Sequence, residues 1–404
     1  MRVLFADRIS PSAIARLREL GHAVDESPDL AGRDLPGAIS GYEVLVVRST
    51  PVTAATVDAS DDLALIVRAG AGTNTIDADA ATRRGIYVSN VPGRNAAAVA
   101  ELTMSLILAI DRSIPESVVE LRNGRWDKTR FSQADGLYGR QLGIVGLGEI
   151  GLAVAERAAA FGMKLLAIDQ LDRSPDVLDR AESVPIEMVS DLRVIAERAD
   201  VVSFHLPATE STRRIIGAGF LERLRPGAIV INTSRGELVD SEALIAAMDN
   251  KGIRVGLDVY PDEPEEGQSE FRSQLTEHPN VYGTHHIGAS TRQAQEAISD
   301  EVVRIVELFE QGTVLNCVNL ADQLLGTTTL SVRHHDEVGV LSDVFAVLRA
   351  ANINVEQMEN RVFSGARAAV ATIHVTGEVT PEILAELEAI KPVINVSMTE
   401  KASG

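Results

Sequence analysis

The segment LGIVGLGEIG, from Leu142 to Gly151, decides the fold of the central part of this 404-residue chain. Its first four residues form an apolar run typical of a buried strand, and the Ala-rich stretch after it predicts a helix. Gly146, Gly148 and Gly151 have the spacing G-x-G-x-x-G. In such a turn the first glycine permits a tight bend, the second lets the backbone approach a pyrophosphate, and the third lets the helix pack closely. The helix N-terminus then faces the phosphates, which predicts a dinucleotide site.

An acidic residue at the end of the next predicted strand indicates which dinucleotide binds. Asp169 follows the strand predicted at Leu165–Ile168 and lies 18 residues after Gly151. The distance typical of this motif is about 20 residues. A carboxylate there accepts hydrogen bonds from the ribose hydroxyls, and its charge repels a 2′-phosphate. The sequence therefore predicts NAD rather than NADP as the cofactor. A glycine turn without a ligand is the structural alternative.

Strand-like and helix-like segments alternate on both sides of this motif, which predicts parallel βα units and an α/β fold. The predicted strands lie at residues 3–6, 44–47, 65–67 and 86–88 in a first series, and at 142–145, 165–168, 201–205, 228–232, 255–258 and 281–283 in a second. A long apolar helix is predicted between the two series, at Ala96–Ile110. It contains Glu101 and is shorter than the roughly 20 residues that a membrane span needs.

Composition excludes several classes of binding partner and indicates the cellular compartment. The chain has 38 Lys and Arg residues against 58 Asp and Glu residues, a formal net charge of −20, and such a surface repels nucleic acid and anionic membranes. The single cysteine, Cys317, excludes an internal disulfide and a Cys-rich metal site, and no metal is predicted. The apolar start of the chain ends at Asp7 and is too short for a signal peptide. We therefore expect a cytoplasmic protein.

Three polar side chains follow successive strands of the second series: Arg235, Glu263 and His286. Ligands of open α/β sheets bind at the carboxyl ends of the strands, so we expect these side chains to meet. Arg235 can hold a carboxylate, His286 can exchange a proton with a hydroxyl, and Glu263 can stabilise the imidazolium. Reversible oxidation of a 2-hydroxy acid needs this combination. For each residue taken alone, a salt bridge or a solvated loop side chain is the alternative.

Four segments, in this order, resemble the D-isomer-specific 2-hydroxyacid dehydrogenases. They are GLGEIG at 146–151, NTSRGELVD at 232–240, DVYPDEP at 258–264 and HHIGAST at 285–291. The resemblance implies that Arg235, Glu263 and His286 are the catalytic set, with His286 as the acid and base. His285 stands where the family usually has Pro, and His286 is assigned because it directly precedes Ile-Gly.

The same resemblance implies a set of cofactor contacts in the glycine loop and after the following strands. This set is Gly146, Gly148, Glu149, Ile150, Gly151, Asp169, His205, Pro207, Thr233, Ser234, Arg235, Asp258 and His286. It also implies a doubly wound Rossmann nucleotide-binding domain, residues 96–291, inserted in a flavodoxin-like substrate domain, residues 1–95 and 292–320. Helix Ala96–Ile110 resembles the family's dimer contacts, so a homo-oligomer, dimer or tetramer, is expected.

Basic residues after strands of the first series indicate the substrate. Arg48 and Arg68 follow two of these strands, and the backbone amides of residues 71–74 offer an anion nest. By resemblance Arg48, Ser49, Arg68 and Asn74 are the substrate-binding positions, which favours a phosphorylated hydroxy acid. Lys128 and Arg130 could also reach a phosphate, in the same or a neighbouring subunit, and a solvated turn is the alternative there.

The last part of the chain has a different pattern, with predicted elements in the order βαββαβ after a linker at residues 321–327. Residues 326–404 resemble an ACT domain, a ferredoxin-like module that senses amino acids. By resemblance the effector positions are His334, Asp336, Gly339 and Asn354, with serine as the expected effector. A purely structural dimerisation unit is the alternative.

The resulting functional hypothesis is an NAD-dependent oxidation of a small phosphorylated 2-hydroxy acid, regulated through the tail. One alternative is a glyoxylate or hydroxypyruvate reductase on the same scaffold, which Arg48, Arg68 and the tail disfavour. The other is a non-catalytic NAD-sensing scaffold, which the tail and the absence of long basic or disordered segments disfavour. Fold alone does not decide among these functions.

Overall fold

A computed structural model describes residues 1–168, 175–264, 269–321 and 325–400 of the chain. It divides into two compact units, Met1–Asn319 and Leu320–Gly404. The first contains two parallel sheets, and the second contains one antiparallel sheet.

The first sheet has five parallel strands in the order β2-β1-β3-β4-β5, which is the flavodoxin-like order. The strands are β1 (Arg2–Phe5), β2 (Ala23–Glu26), β3 (Val44–Val47), β4 (Leu65–Arg68) and β5 (Tyr87–Asn90). The helices between them are α1 (Pro11–Glu19), α2 (Leu35–Ala38), α3 (Ala54–Asp58) and α4 (Ala78–Arg83). The flavodoxin-like prediction is confirmed. Strand β2 was not predicted, because Val24 is its only buried residue and the segment lacks an apolar pattern.

Two helices connect the first sheet to the second. The predicted long helix is present as α5 (Ala96–Arg112), and α6 (Ile114–Arg122) follows it. Ser113 separates them in the left-handed conformation, with φ of 47°. Apolar residues of α5 pack against the second sheet in one core cluster. No helix in the described ranges combines the length and the apolar character that crossing a membrane requires.

The second sheet has seven parallel strands in the order β12-β11-β10-β9-β6-β7-β8. The strands are β6 (Gln141–Val145), β7 (Lys164–Ile168), β8 (Ile186–Val189), β9 (Val201–Phe204), β10 (Ile229–Asn232), β11 (Arg254–Leu257) and β12 (Val281–Gly283). Its helices are α7 (Glu149–Ala160), α8 (Pro175–Glu182), α9 (Leu192–Arg198), α10 (Ala218–Leu221), α11 (Ser241–Lys251) and α12 (Gln274–Glu277). The strand order reverses between β6 and β9: β7 and β8 continue on one side of this pair, and β10 to β12 continue on the other. This order is that of a doubly wound Rossmann fold, and the Rossmann prediction is confirmed.

Helix α13 (Arg292–Glu310) returns the chain to the first sheet. The hydroxyl of Thr291 caps it by accepting from the backbone N–H of Ala294 at 3.1 Å. Val302 and Val306 of this helix share a core cluster with Phe5 of β1. This packing supports the proposed discontinuous substrate domain, residues 1–95 and 292–320, around a nucleotide-binding domain, residues 96–291.

The second unit has the predicted element order βαββαβ. Its elements are β13 (Thr328–His335), α14 (Val340–Ala350), β14 (Asn354–Val362), β15 (Ala368–Thr376), α15 (Pro381–Glu388) and β16 (Val393–Glu400). The strands form an antiparallel sheet in the order β14-β15-β13-β16. Every second residue of β13 and β15 is buried, so one face of the sheet packs against the two helices. The ferredoxin-like prediction is confirmed.

Candidate active site

The carboxyl ends of β10, β11 and β12 place the three predicted catalytic side chains at one edge of the second sheet. These strands are parallel neighbours, and Arg235, Glu263 and His286 lie in the segments that follow them. Oε1 of Glu263 lies 2.7 Å from Nδ1 of His286. In the neutral imidazole this bond places the ring proton on Nδ1 and leaves Nε2 as the basic nitrogen.

The charges around His286 favour its protonated form. The hydrogen bond that His286 donates to Glu263 is the main cause that raises the pKa of His286. Together with the negative charges of Glu263 and Asp258 it outweighs partial burial and the opposing charge of Arg235. Partial burial acts to raise the pKa of Glu263, but the hydrogen bond and charge of His286, with the backbone hydrogen bond of Tyr260 and the charge of Arg235, together lower it. The pair therefore suits a proton exchange in which the imidazolium is stabilised.

Asp258 holds the loop that carries His286. Oδ1 accepts from the backbone N–H of Ile287 at 2.8 Å and from the hydroxyl of Thr284 at 2.6 Å, while Oδ2 accepts from the N–H of Gly288 at 2.8 Å. His286 itself has φ of 50°, in the left-handed region, which costs a non-glycine residue about 1–3 kcal/mol. The buried carboxylate stabilises this loop. Sequence reasoning predicted Asp258 only as a cofactor contact and missed this role.

Asn232 shapes the loop that carries Arg235. Its side-chain oxygen accepts from the N–H of Ser234 at 3.1 Å and from the hydroxyl of Ser234 at 2.7 Å. Its amide nitrogen donates to the carbonyl of Arg235 at 2.8 Å. Nη1 of Arg235 donates to the carbonyl of Ser234 at 2.6 Å. Asn232 is fully buried and was not predicted as a site residue.

Three arginines from the two sheets lie close together. Burial, together with the positive charges of Arg235 and Arg48, lowers the pKa of Arg68 to about 10, against the opposing charge of Asp7. Nε of Arg68 is buried and has no hydrogen-bond partner among the described residues. A Cβ on Gly70 would lie 1.6 Å from Nη1 of Arg68, so glycine there makes room for the guanidinium group. Such a cluster is suited to an anion.

The loop after β4 adds backbone donors beside these arginines. The carbonyl of Ala71 accepts from Nδ2 of Asn90 at 2.7 Å, and the carbonyl of Gly70 accepts from the N–H of Val91 at 2.9 Å. The N–H groups of residues 71–74 donate to no acceptor in the described parts of the chain. A Cβ on Gly72 would lie 2.3 Å from Nη2 of Arg235, so Arg235 reaches this loop. The predicted positions Ser49, after β3, and Asn74, in the loop after β4, are both exposed.

The glycine loop has the geometry that its spacing predicts. Gly146 has φ of +100°, and a Cβ there would lie 2.4 Å from the carbonyl of His205. A Cβ on Gly151 would lie 2.0 Å from the carbonyl of Gly146, whereas one on Gly148 would meet no atom within 4 Å. Only Gly148 therefore faces open space, at the N-terminus of α7. The loop fits a pyrophosphate at that point.

The other predicted cofactor positions surround this loop. Oε2 of Glu149 accepts from Nη1 of Arg180 at 2.7 Å, and Ile150 packs against the core. Asp169 lies outside the described residues.

His205 and Thr233 follow β9 and β10. Burial lowers the pKa of His205 to about 3, so its ring is neutral, and Nε2 lies 2.9 Å from the hydroxyl of Ser203. The hydroxyl of Thr233 lies 2.9 Å from that of Thr103 on α5, and Pro207 is exposed.

The remaining predicted positions lie in other parts of the chain. Nη1 of Arg130 lies 3.9 Å from Oε1 of Glu120, and Lys128 is exposed. Whether either reaches substrate stays a prediction. In the parts of the chain that the structure describes, no three His, Cys, Asp or Glu side chains are grouped to hold a metal ion.

In the second unit, the effector positions differ in exposure. His334 is only 2% exposed, and its ring nitrogens lie 2.7 Å from the carbonyl of His335 and 3.2 Å from Oδ1 of Asn360. Asp336 and Gly339 lie in the loop between β13 and α14. Asn354 opens β14 and is exposed, and it donates to Glu356 at 2.8 Å. The buried ring of His334 therefore stabilises the unit itself, and the effector roles stay predictions.

Comparison with known proteins gives two family matches. Residues 104–288 match the model of the D-isomer specific 2-hydroxyacid dehydrogenase, NAD binding domain. Residues 328–392 match the ACT domain. The first range contains the glycine loop, Arg235, Glu263 and His286, and the second covers most of the second unit.

Similar proteins agree with these matches. The chain is 37% identical over 332 residues to D-3-phosphoglycerate dehydrogenase of Methanocaldococcus jannaschii, covering 81% of this chain and 61% of the relative. It is 41% identical over 279 residues to hydroxypyruvate reductase of Thermotoga maritima, covering 69% of this chain and 88% of the relative. The crystal structure of TT0316 protein from Thermus thermophilus superposes with a TM-score of 0.69 at 33% identity, covering 79% of this chain and all of that one. The chain belongs to the D-isomer-specific 2-hydroxyacid dehydrogenases and carries the NAD-binding domain of that family.

Proposed function

We propose that the protein is an NAD-dependent D-3-phosphoglycerate dehydrogenase, which oxidises D-3-phosphoglycerate to 3-phosphohydroxypyruvate in the first step of L-serine biosynthesis. The observation that carries this proposal is the cluster of Arg48, Arg68 and Arg235 beside the Glu263–His286 pair. Lactate or glyoxylate carries one negative charge, whereas phosphoglycerate carries a carboxylate and a phosphate. Three arginines match the second kind of ligand better.

Relatives support the same substrate without deciding it. D-3-phosphoglycerate dehydrogenases of several organisms match this chain, but the chain spans only 61% of the length of the M. jannaschii relative. The hydroxypyruvate reductase of T. maritima is matched over 88% of its length, which keeps reduction of hydroxypyruvate as the second candidate. The ACT domain, matched at residues 328–392, favours a regulated biosynthetic enzyme over that alternative.

In the proposed mechanism, Arg235 holds the substrate carboxylate in a bidentate pair. Arg48, Arg68 and the N–H groups of residues 71–74 hold the phosphate. Nε2 of His286 accepts the proton of the substrate hydroxyl as the carbon–oxygen double bond forms, and Glu263 stabilises the imidazolium through Nδ1. NAD, when held by the glycine loop, supplies the acceptor for the hydride that leaves the same carbon. In the reverse direction the imidazolium of His286 returns the proton to the carbonyl oxygen.

Regulation and assembly belong to the same proposal. The second unit binds an amino acid, with serine as the candidate effector, through Asp336, Gly339 and Asn354. The enzyme acts as a homo-oligomer in the cytoplasm. Isothermal titration of the whole protein with L-serine measures the effector step, and the absence of heat at millimolar serine would favour a structural role for this unit.

A panel of D-2-hydroxy acids tests the substrate. The purified protein is given NAD with D-3-phosphoglycerate, D-glycerate, D-lactate or glycolate, and NADH is followed by its absorbance. We expect the highest kcat/KM with phosphoglycerate. A preference for the unphosphorylated acids would instead support the reductase alternative, and no turnover with any acid would support a non-catalytic scaffold.

Two arginine variants separate substrate binding from chemistry. Arg48→Ala and Arg68→Ala each remove a guanidinium group from the proposed phosphate site but leave His286 in place. We expect KM for phosphoglycerate to rise by about tenfold or more in each, with a smaller fall in kcat. An unchanged KM in both variants would contradict the phosphate assignment.

A further inference from the structure

Asp7 lies directly after β1 and contacts the loop that carries Arg48. Its Oδ2 accepts from three successive backbone N–H groups, those of Arg48 at 2.6 Å, Ser49 at 3.1 Å and Thr50 at 3.0 Å. The hydroxyl of Thr50 also donates to the carbonyl of Ala6 at 3.2 Å. The loop is therefore fixed to the end of β1 by four hydrogen bonds, and three of them use one carboxylate oxygen.

A carboxylate is an unfavourable neighbour for an anion site. The charge of Asp7 acts on Arg68 and opposes the effect of the two other arginines on its pKa. An acid at this point weakens the attraction for an anionic substrate. Asp7 can favour substrate binding only if its hydrogen bonds contribute more to binding than its charge removes.

The two loops of the anion site differ in how their backbone is used. The N–H groups of residues 71–74 donate to no acceptor in the described ranges, and they are available to a ligand. The N–H groups of residues 48–50 all donate to Asp7. This second loop can therefore contribute to an anion site only through side chains, and its backbone must be rigid for the guanidinium group of Arg48 to be held in place.

We propose that Asp7 is a positioning residue for the substrate: it fixes residues 48–50 so that Arg48 and Ser49 face the anion site beside Arg68. This inference rests on the proposed function, because it takes an anionic hydroxy acid as the ligand. Asp7 acts through the loop and does not touch the reacting atoms.

Two substitutions at Asp7 separate its hydrogen bonds from its charge. Asp7→Asn keeps a carbonyl oxygen that can accept from the three N–H groups but removes the negative charge. Asp7→Ala removes both. Asp200→Ala is the matched control, since Oδ2 of Asp200 accepts from the backbone N–H of Gln141 at 2.8 Å. Asp200 directly precedes the central strand β9 and lies at the amino ends of the strands of the second sheet.

Steady-state kinetics of the full-length variants give the result. In Asp7→Ala we expect KM for the hydroxy acid to rise about tenfold, with kcat within about threefold and KM for NAD unchanged. In Asp7→Asn we expect KM for the hydroxy acid to stay within about threefold of the unchanged protein. Asp200→Ala should lower the melting temperature without raising this KM.

Three results would overturn the proposal. An unchanged KM in Asp7→Ala would show that the loop needs no carboxylate. A fall of KM in Asp7→Ala and Asp7→Asn alike would show that the charge of Asp7 acts on the substrate and that its hydrogen bonds do not. Equal increases of KM for the hydroxy acid in Asp7→Ala and Asp200→Ala would show a general loss of structure. The comparison uses whichever acid the unchanged protein oxidises fastest, so failure of the phosphoglycerate assignment is recognised separately in the substrate panel.

Discussion

At the scale of single residues, the Glu263–His286 pair sets the pH range of the reaction in the proposed mechanism. Oxidation needs neutral His286 to accept a proton, so its rate rises with pH through the pKa of that residue. Reduction needs the imidazolium, so its rate falls through the same pKa. Because the hydrogen bond that His286 donates to Glu263 raises the pKa of His286, the carboxylate moves both limbs of the pH–rate profile toward higher pH.

Replacing Glu263 with Gln should therefore move both limbs toward lower pH. The amide removes the negative charge that stabilises the imidazolium, and we also expect kcat to fall by about 10²-fold, within the range typical of general acid–base catalysis. The measurement is the pH dependence of kcat/KM in both directions.

Asp262→Asn is the matched control for this prediction, because it removes an exposed carboxylate from the neighbouring position. Its profile should be unchanged. If Glu263→Gln lowered the rate without moving either limb, the carboxylate would serve orientation alone.

Sequence reasoning named the groups to which we assign the chemistry, but not the residues that hold them in place. Arg235, Glu263 and His286 were predictable because each follows a strand and has a side chain with an obvious chemical use. The residues that hold them, Asp7, Asn232 and Asp258, accept hydrogen bonds from backbone groups. Asp7 bonds to Arg48, 41 positions later, and Asp258 bonds to Gly288, 30 positions later. No local pattern marks such partners.

At the scale of secondary-structure elements, the glycine loop distinguishes packing from ligand approach. Gly151 lies where a Cβ would clash with the backbone of Gly146, at 2.0 Å, whereas Gly148 has no neighbour within 4 Å of its Cβ position. Gly148 also has φ of −86°, which alanine adopts without strain. The two glycines are therefore needed for different reasons.

Alanine at each glycine should give opposite results. Gly151→Ala should lower the free energy of unfolding by about 2 kcal/mol, because β6 and α7 must separate to admit the methyl group. Gly148→Ala should leave the melting temperature unchanged but weaken NAD binding by about tenfold or more. Thermal unfolding measures the stability of each variant, and a fluorescence titration with NADH measures its binding of the cofactor. Equal loss of stability in the two variants would contradict this division.

Two of the four edge strands of the parallel sheets were not predicted. Central strands such as β3 and β10 are buried at every position and give continuous apolar runs. The strands β2 and β8 lie at sheet edges, and half or fewer of their residues are buried. Their sequences carry no comparable signal, and neither was predicted.

At the scale of the whole molecule, the two units have separate hydrophobic cores. The core clusters of the first unit contain residues up to Leu315, and the cluster of the second unit begins at Leu330. Each unit can therefore bury its apolar residues without the other.

A chain that ends at Ala321 should consequently fold and retain its dehydrogenase activity. We expect KM for NAD and for the hydroxy acid to stay within about twofold of the full-length values, and any response to serine to disappear. Circular dichroism and steady-state kinetics give the result. Loss of activity from a truncated chain that still shows cooperative unfolding would mean that the second unit contributes to the active site.

The arginine cluster also has a consequence for evolution of the fold. Three guanidinium groups that repel one another oppose the folded state, and one buried Nε has no hydrogen-bond partner among the described residues. If the cluster binds substrate as proposed, selection for substrate binding maintains a locally destabilised cluster, as in other enzymes that trade stability for activity. Arg68→Met should raise the free energy of unfolding by about 1 kcal/mol while substrate binding is lost, which denaturant unfolding and kinetics would show together. Libraries selected for thermostability alone would be expected to lose this arginine first.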